Sequence, residues 1–349
     1  MKRYTAKITV LLAVLVLAAC GTTGPSPARS AGGGNEPGWM NNLETDYPEA
    51  KYLAAVGSGS SRRGAEDDAT GALARLFTVN VKVDAVAQQR YAEIVKGDSS
   101  YSESEKTISQ SVGTQASEQF VNLRFSDPYT DARGTTFIVA YIEREPTAAI
   151  YRSLIQKDLA KLDDFMDRAG GMRGAIQRYA FYDAANTMGL NAERMIGQLR
   201  IIHANTARMM ENQLDLKKVT SARDAEADKM TYMVAITGDN DKRIAAMIRK
   251  SLDEMSLSYQ ERGLLMVKGS WSVSPVTVNP QFKSVQWVAD LALYDETGAA
   301  IATFAKQSRE NAVNESQAAT LAYREVEKEI AKDFLKSLRA YLTRIVTGG

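Results

Sequence analysis

One cysteine and one histidine stand among 349 residues, and that scarcity removes whole classes of chemistry. A single thiol cannot close a disulfide within the chain. One thiol and one imidazole cannot build the His/Cys ligand sets that hold zinc. A Ser-His-Asp arrangement would have to use His203. Excess charge of one sign is also missing, with 43 Lys and Arg against 42 Asp and Glu, so no electrostatic footprint for nucleic acid exists. Long apolar runs are absent after the opening stretch, and no later segment reads as a bilayer span. Neither a cofactor nor a metal site is expected. A normal globular balance remains, at 44% hydrophobic and 24% charged residues.

The opening stretch is what the chain does have. Lys2, Arg3 and Lys7 form a basic segment, and Ile8–Leu17 is an apolar run too short to span a bilayer permanently. Small residues and Cys20 follow, which is the three-part layout of a secretory signal. Leu17-Ala18-Ala19-Cys20 resembles the bacterial lipobox. That resemblance implies a diacylglycerol on the Cys20 thiol, cleavage before Cys20 and a further acyl (palmitate-type) chain on the new amino group. The other readings are an ordinary signal peptide cleaved nearby and an amino-terminal anchor helix. Each buried methylene contributes about 0.8 kcal/mol, so three chains anchor where one holds only marginally. Gly21 stands where an Asp would resemble an inner-membrane retention signal, which favours the outer membrane with the body facing the periplasm over the inner membrane or cell surface. Removing the signal, residues 1–19, leaves enough chain for two domains of ordinary size. It also turns the charge balance slightly acidic, because every charge it carries is basic.

Residues 20–36 are the lipidated tether. Its Gly, Ser, Pro and Thr carry no periodicity. A flexible chain of this length reaches on the order of 20 Å. A first domain is expected over residues 37–145. Tyr52–Val56 reads as a strand and Ala65–Phe77 as a helix with Ala69, Ala72, Leu73, Leu76 and Phe77 on one face. Val79, Val81 and Val83 alternate as a strand. The polar stretch Gly97–Gln119 reads either as a solvated strand pair or as a loop. Val121–Phe125 and Thr136–Ile142 read as strands joined by a hairpin loop over Asp127–Gly134.

From Pro146 the period becomes helical, and residues 146–212 read as a helical connector. One helix ends at Gly170-Gly171. A second covers Ile176–Met188, and a third follows Gly189 with Ile196, Leu199, His203 and Met210. Residues 228–346 then read as βαβββα. The elements are a Tyr232–Ile236 strand, a Gly238–Asp241 turn and cap, and a helix face of Ile244, Met247, Ile248, Leu252 and Met255. Strands at Leu264–Val273, 285–293 and Ala300–Ala305 follow, and a last helix is capped by Asn314. The fold class is α+β, with two small sheet-plus-helix domains joined by a helical connector, behind a lipoprotein signal and a flexible tether.

Each residue group with chemical potential has a structural reading beside the functional one. His203 fits a helix face. Gly57-x-Gly59 follows a strand as a dinucleotide loop would, but Arg62 stands where the third glycine is needed, so a turn into a helix fits better. Arg62-Arg63 is a small basic spot that fits solvated surface. Asp127, Asp131 and Glu143 could gather near the hairpin as a carboxylate pair or a Ca²⁺ site, but their spacing matches no loop motif. Trp271 and Trp287 fit core packing beneath the last helix better than an aromatic binding patch, and the methionines between Met166 and Met210 fit helix packing. No catalytic residue is assigned, and Cys20 lipidation is the one site expected.

Pro37-Gly38-Trp39, Tyr52–Gly59, Ala65-Glu-Asp-Asp-Ala69, Val79–Val83, Phe125–Tyr129 and Thr136–Ile142 together resemble the Lpp-twenty type of bacterial outer-membrane lipoprotein over residues 37–145. Some members of that family look like flagellar basal-body factors, and it brings no catalytic residues. Residues 228–346 more loosely resemble TolB amino-terminal-like envelope-assembly domains, through element order. These resemblances imply a non-enzymatic scaffold or assembly factor in an envelope complex, a flagellar basal body or export apparatus, with envelope proteins or further copies of itself as partners. The alternative is a periplasmic binding module for a lipid, glycan or small hydrophobic ligand.

Overall fold

The computed structural model describes residues 36–78, 85–111, 120–277 and 281–348. Cys20, the tether up to residue 35 and the Val79–Val83 strand lie outside the described residues. The body is α+β, with two sheets and helices on both.

The chain enters through α1 (Gly38–Asn41), whose Trp39 is buried. The first sheet is built on β1 (Tyr52–Gly59) and β4 (Thr136–Glu143), paired antiparallel from Tyr52↔Glu143 to Gly59↔Thr136. Two short strands, β2 (Arg124–Phe125) and β3 (Tyr129–Thr130), also pair with β4. The strand expected over Val121–Phe125 is therefore reduced to its last two positions. Asn122 takes a left-handed φ of 62°, which breaks the extended run, and its side-chain amide donates to Thr147 Oγ1. The expected hairpin loop holds β3 and then tightens at Asp131, whose carboxylate accepts from the Arg133 and Thr135 amides.

Helix α2 (Arg62–Thr78) packs on this sheet, longer at its start than the apolar pattern suggests. Next come α3 (Ala85–Gly97) and α4 (Glu103–Ser111). The stretch read as a strand pair or loop thus contains a helix. Ser102 and Glu105 exchange hydrogen bonds with each other's backbone amides, a reciprocal cap that starts it.

Helix α5 (Arg144–Gly171) ends at the expected glycine pair. Helix α6 (Ala175–Ile202) does not break at Gly189 and is one continuous rod of 28 residues. At a rise of about 1.5 Å per residue it is about 42 Å long. A Cβ on Gly189 would meet Leu216 Cδ1 at 2.9 Å and Leu162 Cδ1 at 3.2 Å. The glycine marks a close approach inside a helix, and packing on both sides outweighs its weak helix propensity of about 1 kcal/mol. Helices α7 (Ala204–Glu211) and α8 (Leu216–Ala227) follow, and α8 is an element that periodicity does not predict.

The second sheet runs β6-β5-β7-β8-β9, with β5 (Thr231–Thr237), β6 (Ser258–Tyr259), β7 (Leu265–Val276), β8 (Lys283–Tyr294) and β9 (Ala300–Ala312). Strand β5 is parallel to β7 through the crossover helix α9 (Arg243–Asp253), and β7-β8-β9 is the expected antiparallel meander. Lys242, in the left-handed region, stands at the cap position of α9, and the Asp239 carboxylate from the turn before it accepts from the Ile244 and Ala245 amides of the first turn. Asn314 caps α10 (Glu315–Glu329) by accepting from the Gln317 amide, as its spacing predicts. A π turn, Ile330–Phe334, joins α10 to α11 (Leu335–Thr347). Ala318, Ala322, Val326, Ile330, Phe334, Leu338 and Leu342 recur every four residues and are all buried. A four-residue repeat runs ahead of a 3.6-residue helix by about 40° per step. The wider π turn takes up part of that lead and keeps the stripe on the sheet.

Two apolar cores result, and α6 belongs to both. Tyr179, Phe181, Ala184 and Met188 join the core of the second sheet, together with Trp287 and Phe334. Ala192, Met195, Ile196 and Leu199 join the core of the first sheet, together with Leu53, Leu73 and Ile142. The residues read as a connector therefore supply interior to both sheets.

Candidate functional site

Asp158, on α5, carries the most unusual environment among the described residues. It is 1% exposed, in the midst of the Leu154–Leu162 apolar face. Its Oδ1 accepts from the Tyr91 and Tyr101 hydroxyls at 3.1 Å each, and its Oδ2 accepts from the Asn191 amide at 2.7 Å. Arg194 donates to Asn191 Oδ1 from the next turn of α6. The cluster joins α3, the α3–α4 loop, α5 and α6. Burial pushes the Asp158 carboxyl up to about 6, against the pull of the three donors and the nearby guanidinium. Burial also raises the Tyr101 hydroxyl, as does the adjacent carboxylate, and it lowers Arg194. A carboxyl raised this way keeps its proton at a pH where an exposed aspartate has lost it.

The rim of the cluster is ionic. Lys157 donates to the Ser100 carbonyl and to Glu105 at 2.8 Å each. Its ammonium lies 4.4 Å from the centre of the Tyr101 ring, within cation–π range. Lys157 and the Ser102 groups hold the Glu105 carboxyl down at about 2. Lys161 pairs with Asp98 at 2.7 Å. On the far side of α3, Arg90 is buried and reaches Asp183 at 3.1 Å, the Arg339 carbonyl at 3.0 Å and the Thr343 hydroxyl, tying α3 to α6 and α11.

A cavity of about 540 Å³ opens beside this cluster, along α6 from Leu190 to Arg200. The first turns of α3 form one flank, and Glu211, Leu214 and Leu216 form the other. Motif spacing does not reveal this site. The legible signal is Asp158 itself, since Leu154, Asp158 and Leu162 share one helical face at four-residue spacing and place a carboxylate on an apolar stripe.

The residues singled out in the sequence are scattered. Gly57 and Gly59 are where α2 lies on β1. A Cβ on Gly57 would fall 2.0 Å from the Ala69 amide nitrogen, and one on Gly59 would fall 2.6 Å from that of Ala65. Both glycines lie within β1, which runs past the expected Val56 end, so the expected turn shrinks to Ser60 and Ser61 and the glycine spacing serves strand-to-helix contact. Arg62 is exposed and pairs with Glu66 at 2.8 Å. Asp127 is exposed in the loop before β3. Asp131 lies in the turn before β4 and Glu143 at the far end of that strand, where it pairs with Arg124 at 2.7 Å. A strand of that length spans roughly 25 Å, so the carboxylates do not gather. Among the described residues no group of three His, Cys, Asp or Glu is placed to hold a metal ion. Trp271 and Trp287 are buried with ring centres 5.9 Å apart, and Tyr323 of α10 lies 5.2 Å from Trp271, which is core packing. His203 caps α7, its Nδ1 accepting from the Thr206 amide at 3.3 Å while Nε2 lies 3.0 Å from Glu145. Met188, Met195 and Met210 are buried between helices, whereas Met209 is exposed.

No known protein family matches the chain, and no curated protein matches it. Among solved structures, the secreted protein HP1454 of Helicobacter pylori is similar at 12% identity and a TM-score of 0.40, over 82% of this chain and 98% of that one. A minor lipoprotein of Acinetobacter baumannii is similar at 8% identity and a TM-score of 0.23, over 34% of this chain and 94% of that one. At these values the likeness assigns neither family nor activity. Among the described residues no helix is long and apolar enough to cross a membrane.

Proposed function

We propose that this chain is an outer-membrane-anchored lipoprotein, held by acyl chains on Cys20, that acts as a non-enzymatic scaffold or assembly factor in a cell-envelope complex. The observation that carries the scaffold reading is the sharing of α6. A protein that clamps its ligand between two lobes needs a hinge, a few loop or element-terminal residues that absorb the motion. Here a single uninterrupted helix is buried in the core of each sheet, so the two sheets are held at fixed separation. A rigid body about one long helix in extent, on a flexible tether, suits the spacing of other proteins near a membrane. The Lpp-twenty-type and TolB-like resemblances agree with this role and suggest a flagellar or export complex.

The test is capture from the native membrane. After mild cross-linking and extraction in gentle detergent, the acylated protein should co-purify with defined envelope proteins or with further copies of itself. A monomer that brings nothing with it overturns the scaffold reading. Intact mass of the purified protein tests the anchor separately, and a chain beginning at Cys20 with no acyl mass would exclude it.

A second reading, a periplasmic binding module for a lipid, glycan or small hydrophobic ligand, is favoured by the cavity along α6.

A further inference from the structure

The second sheet is covered on one side. Trp271, Trp287, Leu291 and Phe304 point into the core that α9, α10 and α11 share. The alternate residues lie on the other side, and no helix among the described residues closes over them. Lys268, Ser270 and Ser272 of β7, Val288 and Asp290 of β8 and Ala305 of β9 are exposed there. An antiparallel sheet with one wet side normally carries polar residues on it. Here Met233, Met266 and Tyr294 form one cross-strand row. Ala235, Ala292 and Ala305 stand in the next two rows, although alanine is a poor strand residue. The charged residues that β5, β7, β8 and β9 place on this side are Lys268, Asp290 and, towards the far end, Arg309. Scarce charge together with methionine and tyrosine is the composition of an interface core. The short side chains also keep the surface low, so that a second sheet can approach to the usual spacing of about 10 Å.

The two central charges bear on what covers this surface. Lys268 pairs with Ala292 and Ser270 with Asp290, so Lys268 and Asp290 are diagonal neighbours on one side of the sheet. They do not join. The Lys268 ammonium leans the other way, 5.8 Å from the centre of the Tyr294 ring, and the Asp290 carboxylate has no partner among the described residues. A two-fold axis lying in the plane of contact and crossing midway between the two positions exchanges them. Each Lys268 then meets Asp290 of the other copy, twice in one closed, self-complementary contact. The area is also sufficient. At about 3.4 Å per residue and 4.8 Å between strands, β5, β7, β8 and β9 give this side roughly 700 Å². Two such surfaces together bury about 1,400 Å², within the roughly 1,200–2,000 Å² of specific, stable interfaces.

We propose that two copies of this chain meet face to face through the open side of the second sheet, with Lys268 and Asp290 paired across the axis. The inference deepens the scaffold reading, which counts further copies among the partners. Its failure leaves that reading standing on the capture of other envelope proteins.

The test is the mass of the full acylated protein, extracted from its membrane in gentle detergent and followed by native mass spectrometry over a range of concentrations. A dimer is expected. Lys268→Glu alone, or Asp290→Lys alone, sets like charges against each other at both contacts and should raise the dimer dissociation constant by about tenfold or more. The double variant restores opposite charges and should return the constant towards that of wild type. Both positions are exposed, so each variant should keep the wild-type thermal transition, which separates a lost contact from a lost fold. A monomer at every concentration overturns the proposal. A dimer that neither single substitution weakens, or a double variant no better than the single ones, overturns it as well. Loss of a different envelope protein from the Lys268→Glu variant, with self-association unchanged, assigns this side to that protein and overturns the proposal too.

Discussion

At the scale of single residues, Asp158 and Gly57 make opposite demands on their surroundings. Asp158 is a carboxyl that burial holds at about 6, while in the unfolded chain it titrates near its ordinary value of 3.8. The folded state therefore keeps its proton over a range where the unfolded state has lost it. The stability that Asp158 contributes is full below about pH 4 and is lost as pH rises through 6. The difference between the two states corresponds to about 3 kcal/mol. Asp158→Asn should flatten the wild-type fall in stability between pH 4 and 6, read from urea midpoints across that range, and a slope equal to wild type would count against the assignment. Gly57 instead needs the absence of a side chain. Gly57→Ala forces β1 and α2 apart and should cost about 1–3 kcal/mol. At Gly71, within α2, an added Cβ would meet only the end of Arg75, at 4.0 Å. Gly71→Ala should therefore stabilise by about 0.5–1 kcal/mol. Paired thermal melts check both, and equal shifts would refute the packing argument.

At the scale of elements, helix ends decide where the two halves meet. Arg144, the first residue of α5, donates to the Ile201 and Ile202 carbonyls at 2.8 and 2.7 Å and to the Glu49 carbonyl at 2.7 Å. One guanidinium therefore caps the carboxyl end of α6, where the dipole favours a cation, and ties it to the chain before β1. Arg144→Met keeps the aliphatic stem and removes these bonds. It should cost about 2 kcal/mol and raise amide exchange in the last turn of α6 and in the turn before β1, while the second sheet stays protected. Exchange measured by mass spectrometry checks this, and unchanged protection at both places would show that the cap carries no weight.

At the scale of the whole molecule, α6 makes two cores into one folding unit. Leu199 lies in the core of the first sheet and Met188 in that of the second, about three turns apart on the same rod. Leu199→Ala should cost about 2–5 kcal/mol and lower the unfolding of both sheets together in a single transition. Calorimetry showing two separated transitions, with only one moved by the substitution, would mean that the sheets unfold independently.

Much of this architecture was legible in local pattern. Alternation at 285–293 marks β8, the Asn314–Gln317 spacing marks a helix start, and the four-residue stripe from Ala318 to Leu342 marks a helix laid on a sheet. These are properties of neighbours in sequence, and periodicity reports them directly. The lipobox resemblance at Cys20 is likewise a matter of order along the chain, and it lies outside the described residues. Tertiary structure alone decided the rest. Gly189 looks like a break until Leu216 and Leu162 close on it, and the Ser102–Glu105 cap is hidden in a polar stretch that resembles a loop. Asp158 becomes a site only because Tyr91, Tyr101 and Asn191 converge from other elements. The physical reason is the same in each case: local pattern fixes which face of an element is apolar, while burial, dielectric and close approach depend on what the rest of the chain brings to that face.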